Sequence, residues 1–132
     1  MLKLPSYLPP LLLVLLGATG PVGAHADDGT ADAAAARSPG DMTVEERAEM
    51  MRQANAYNTC VYEQAIAQVD ADPDIRRVAD LAMGACENHL DDLGTTITGW
   101  GMPPYFAEGF TRTVRDRAVH RLMPELAIRK AR

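Results

Sequence analysis

The sequence predicts an all-α fold, a small three-helix bundle built on an antiparallel helical hairpin that a disulfide staples. Three features predict it. Apolar residues recur at helical spacing over three long stretches. An Asp-Pro turn, Asp72-Pro73, separates the first two. The only two cysteines, Cys60 and Cys86, lie almost symmetrically about that turn.

The N-terminal end reads as an export signal. Lys3 supplies positive charge, Leu11 to Leu16 form an apolar run, and Ala24-His25-Ala26 has the small-x-small pattern of a cleavage site. The run falls well short of the ~20 apolar residues that a membrane span needs. Cleavage near Ala26 leaves 106 residues, one small domain, in the periplasm or outside the cell. In such an oxidising compartment two cysteines pair, and a domain of this size gains from a covalent staple.

Residues 27–41 are small, polar and turn-forming, and read as a disordered lead-in with nothing large and apolar to anchor it. The helical domain spans 42–132. Its first helix, about 43–69, opens on a capping box, Thr43-Val44-Glu45-Glu46. Met50, Ala54, Tyr57, Val61, Ala65 and Gln68 then share one face, with Cys60 at its edge.

The second helix, about 73–97, takes Asp72 as N-cap and Pro73 at its first position. Ile75, Val78, Ala79, Ala82, Cys86, His89, Leu90, Leu93 and Ile97 form its apolar stripe, and Gly94 to Thr98 should fray. Folding the hairpin at residue 73 sets Cys60 against Cys86, Tyr57 against His89, Gln64 against Ala82 and Ala67 against Ala79. A hydrogen bond between Tyr57 and His89 would satisfy both side chains.

Gly99-Trp100-Gly101 breaks the chain, and Trp100 reads as a cover for the open hairpin end or as a stacking surface for a ligand. The third helix, about 104–130, carries Phe106, Phe110, Val114, Ala118 and Leu122 at four-residue spacing. Pro124 should end or kink it.

Charge divides unevenly. Residues 27–104 hold 15 acids and 5 bases, residues 105–132 hold 3 acids and 7 bases. A body this acidic excludes nucleic-acid binding by the domain as a whole. The arginines of the third helix have two destinations. One is the acidic body, at Asp80, Glu87 and Asp91. The other is an amphipathic surface of Trp100, Phe106, Phe110, Arg112, Arg115 and Arg121, facing a protein partner or a membrane surface.

No Gly-x-Ser-x-Gly, His-Glu-x-x-His, phosphate loop or CxxC is present, and no residue pattern implies a cofactor. Adjacent acids such as Glu45-Glu46 and Asp91-Asp92 splay over neighbouring helix directions and read as solvated. The sequence therefore reads as an exported, non-enzymatic helical protein that binds another protein in an accessory, inhibitor, immunity or chaperone-like role. The alternative is a periplasmic metal- or redox-responsive protein using Cys60, Cys86 and His89. That ligand set lacks a fourth donor other than Tyr57 or Glu63. The two readings separate on thiol counting of the exported protein. The hairpin predicts no free thiol before reduction, two after it, and no bound zinc or copper. Free thiols with bound metal would select the alternative.

Overall fold

The computed structural model describes residues 37–132; the expected signal peptide and the first ten residues of the expected lead-in lie outside them. A 3-10 turn, Pro39–Asp41, precedes four helices: α1 (Val44–Gln68), α2 (Ile75–Ala85), α3 (Glu87–Gly99) and α4 (Pro104–Lys130). The described residues are thus all-helical, with four helices in place of the expected three.

α1 begins as its capping box dictates. Thr43 Oγ1 accepts from the Glu46 N–H at 3.1 Å, and the Glu46 carboxylate accepts from the Thr43 N–H at 2.8 Å. One stripe of α1 then goes inside: Met50, Ala54, Tyr57, Val61 and Ala65 are all buried. α1 packs against each of the other three helices, and α4 packs against α1, α2 and α3.

The turn differs from expectation by two residues. Asp74, not Asp72, is the N-cap of α2, accepting from the Arg76 N–H at 2.9 Å. Asp72 instead accepts from the Asp74 N–H at 2.8 Å and pairs with the Arg77 guanidinium. A carboxylate two residues before the cap can thus hold the turn and the first helical turn together.

The expected second helix is broken at Cys86, whose φ of −107° and ψ of 6° leave the helical region. Gly84 weakens the helix just before this point by about 1 kcal/mol relative to alanine. The break orphans no donor, because the Cys86 N–H still reaches the Met83 carbonyl at 3.2 Å. The apolar stripe crosses it without changing face: Val78, Ala79, Ala82, Cys86, Leu90, Leu93 and Ile97 are all buried. The expected fraying at Gly94 to Thr98 does not occur. Ile97 is fully buried, and Thr98 satisfies its hydroxyl on the Gly94 and Thr95 carbonyls at 3.0 Å. Packing here outweighs propensity.

α4 continues through Pro124 to Lys130. The proline costs one intrahelical hydrogen bond, but Leu126 beyond it is fully buried and carries the Val114–Ala118–Leu122 stripe one turn further. Burial of a leucine stabilises by about 1.5–3 kcal/mol, which offsets much of the roughly 3 kcal/mol that an interior proline costs.

The staple forms as expected, Cys60 Sγ to Cys86 Sγ, with the two Cα atoms 6.0 Å apart. It joins α1 to the corner between α2 and α3. Closing a loop of 26 residues in sequence stabilises by about 3.5 kcal/mol in the chain-entropy treatment. Burial along the stripe gives a direct check. Leu93→Ala, at a fully buried site, should lower urea-unfolding stability by about 2–5 kcal/mol. Leu81→Ala, at a half-exposed site one helix earlier, should change it by less than about 0.5 kcal/mol.

Candidate functional site

The chain places its unusual polar groups in three regions. The first is the N-terminal edge. Residues 37–41 belong to the expected lead-in yet are tied down, because their anchor is polar where sequence reasoning looked for an apolar one. Arg37 pairs with both oxygens of Glu46 at 2.8 and 3.0 Å and donates to the Trp100 carbonyl at 2.8 Å. Its backbone N–H also reaches the Gly101 carbonyl at 3.1 Å. Gly101 has a φ of +79°, a conformation that favours glycine. Trp100 is half-buried on the core at this junction.

The second region lies between α3 and α4. Arg115 pairs with Glu87, and Arg112 lines the same recess of about 320 Å³ with Glu87, Asp91 and Glu108. Part of the basic helix is therefore turned onto the acidic body; Asp80 takes no part among the described residues. Tyr57 lies behind this pair, fully buried. Burial pushes its phenol up, opposed by the nearby Arg115 charge. The Arg115 guanidinium lies near its hydroxyl, but the two do not meet in hydrogen-bond geometry. The expected Tyr57–His89 hydrogen bond is absent: His89 lies beside Arg52, Gln53, Ala56 and Asp92 on another side of α3. Both sulfurs are spent in the Cys60–Cys86 bond, so the Cys60, Cys86 and His89 set offers one donor. No group of three His, Cys, Asp or Glu residues is placed to hold a metal among the described residues.

The third region is a groove of about 610 Å³ between α1 and α4, lined by Asn58, Val61 and Tyr62 on one wall and by His120, Arg121, Leu122, Pro124 and Glu125 on the other. A smaller recess of about 90 Å³ continues it toward the start of α1, past Met51, Asn55, Phe110, Thr113 and Arg117. Low-numbered residues of α1 face low-numbered residues of α4, so the two helices run parallel. Each wall is a stripe at helical spacing, Met51–Asn55–Asn58–Tyr62 on α1 and Phe110–Thr113–Arg117–Arg121–Pro124 on α4. Met51 and Tyr62 are nearly half exposed, at 49% and 44%.

The six residues expected to share one surface are thus divided. Phe110 and Arg121 line the groove, and Phe106 stacks on Phe110 with ring centroids 6.4 Å apart. Arg112 and Arg115 face α3, and Trp100 sits at the N-terminal edge. Sequence reasoning missed Arg117, Asn58 and the α1 wall. The α1 stripe has legible spacing, but only knowing that α4 lies beside it gives that spacing meaning.

The strongest perturbations of acidity belong to structural ion pairs. The Arg37 guanidinium, then the Thr43 N–H, hold the Glu46 carboxyl at about 2, below its ordinary 4.5. Arg52, then Gln53, hold Glu49 at about 2 as well. A carboxyl depressed in the folded state stabilises it above the ordinary value, and that contribution is lost as pH falls from about 4.5 through about 2. Glu46→Gln should therefore lower the melting temperature at pH 7 and flatten its decline between pH 4.5 and 2. An unchanged profile by circular dichroism would remove the Arg37–Glu46 pair as a stabilising contact. No protein-family model matches the chain, and no curated protein or solved structure is significantly similar to it.

Proposed function

We propose that the protein is exported and acts without catalysis, by binding another protein through the face that α1 and α4 share. The observation that carries this reading is the groove itself. It brings exposed apolar side chains, Met51 and Tyr62, beside Arg117 and Arg121. The ion pairs among the described residues are Arg37–Glu46, Arg52–Glu49, Arg77–Asp72 and Arg115–Glu87, so neither groove arginine is committed within them. Uncommitted arginines beside aromatic and methionine side chains are the composition of protein-binding surfaces.

Two further points support the reading. A disulfide suits an oxidising compartment, and no helix among the described residues is long and apolar enough to cross a membrane. The shifted carboxyls are explained by caps and ion pairs away from the groove. A photo-crosslinking side chain at Tyr62 should capture a discrete protein in the compartment to which the chain is exported. The same group at Leu81, exposed outside the groove, should capture none. No adduct at Tyr62, or equal adducts at both positions, would sink the reading.

A further inference from the structure

Resting on that protein-binding reading, we propose that the α1–α4 groove receives an acidic amphipathic helix of a partner protein. Its apolar face would lie on Met51, Phe110, Tyr62 and Pro124, and its carboxylates on Arg117 and Arg121.

Length, charge and hydrogen bonding each narrow the occupant. Met51 and Tyr62 are eleven steps apart on α1, about 17 Å or three helical turns. Helix anchors at i, i+3/i+4 and i+7 span about 10.5 Å, and a fourth at i+11 reaches the full length of this wall. Arg117 and Arg121 are four apart on one helix, so their stems stand about 6 Å from each other. Two carboxylates four apart on a partner helix have the same spacing. Arginine also pairs with a carboxylate through two parallel N–H donors, which fixes orientation as well as charge. The chain's own Glu125 lines the same wall but forms no ion pair with Arg121.

Asn58 adds a polar requirement to the groove. It lines both parts of the groove, and its Oδ1 is buried with no hydrogen-bond partner among the described residues. An unmet acceptor costs about 1–3 kcal/mol. A peptide side chain supplies N–H or O–H donors that can meet this acceptor. Acyl chains supply none, although lipid headgroups with hydroxyl or ammonium groups do, so the preference for a protein rests on shape. The concave shape between two parallel helices suits a cylinder better than a plane.

The test uses the disulfide-intact protein and a pool of acetylated, amidated 14-residue amphipathic helices with glutamates four apart, read by fluorescence anisotropy against a lysine-for-glutamate pool. The acidic pool should bind at least tenfold more tightly, and rising salt should weaken it. Arg117→Glu with Arg121→Glu should reduce binding at least tenfold, while Arg112→Glu, on the α3 side, should leave it unchanged. All three positions are exposed or partly so, and unchanged circular dichroism confirms that the variants fold. Equal binding of both pools, or no effect of the double variant, would overturn the proposal. Groove-dependent association with phosphatidylglycerol vesicles, or groove-dependent self-association in sedimentation, would also overturn it if the acidic pool fails to bind. A Tyr62 adduct with a protein, without acidic-helix binding, would sink this proposal and leave the protein-binding reading standing.

Discussion

The buried stripe of α1 has to serve three partners at once, and the rest of the fold follows from how it does so. Met50, Ala54, Tyr57, Val61 and Ala65 are buried, and α2, α3 and α4 all pack against the helix that carries them. Two of the five are alanines, so neighbouring helices can approach closely there. Tyr57 fills the centre with the largest fully buried side chain. The disulfide acts on the same helix one turn later, tying Cys60 to the corner at Cys86. A helix with one apolar stripe and three neighbours must leave part of its outer surface only partly covered. The groove beside α4 is where that shortfall falls.

The basic helix resolves the contrast in charge by dividing it. Arg115 turns to Glu87 and Arg112 lines the same recess. Arg117 and Arg121 sit on the other side of the buried stripe, away from the acids of α3. Periodicity alone requires this. On a helical wheel at about 100° per residue, Arg112 and Arg115 lie within about 60° of each other and Arg117 and Arg121 within about 40°, with the two pairs separated by about half a turn, so they cannot share one face. The acidic body therefore neutralises only one edge of α4.

Much of the fold was legible because helical periodicity and a capping box are local signals. The stripe from Val78 to Ile97 and the Cys60–Cys86 pairing follow from spacing, and both are present. The failures share one cause. At Cys86 nothing local marks the break except Gly84 two residues earlier. At Pro124 a local breaker is overruled by burial of Leu126, and at Gly94 to Thr98 weak propensity is overruled by burial of Ile97. Arg37 was missed because its partners, Glu46 and Trp100, lie 9 and 63 residues away. The groove was half legible. The α4 arginines were visible as a class, but which of them remain uncommitted depends on the helix placed opposite each one.

Each connection between helices is held by a different chemistry. Asp72 fastens the α1–α2 turn through Asp74 and Arg77. The disulfide pins the single-residue junction between α2 and α3. Arg37 grips the α3–α4 link through the Trp100 and Gly101 carbonyls. Short links of this kind usually absorb insertions and deletions between related chains, because their backbones are free in solvent. Here every link carries a fixed register, so a lengthened loop would first have to break a carboxylate cap, a covalent bond or a guanidinium clasp. Even the exposed end of α4 lies near one of the three: Arg77 and the Asp74 N–H hold the Asp72 carboxyl below its ordinary value, and the Lys130 charge adds to them.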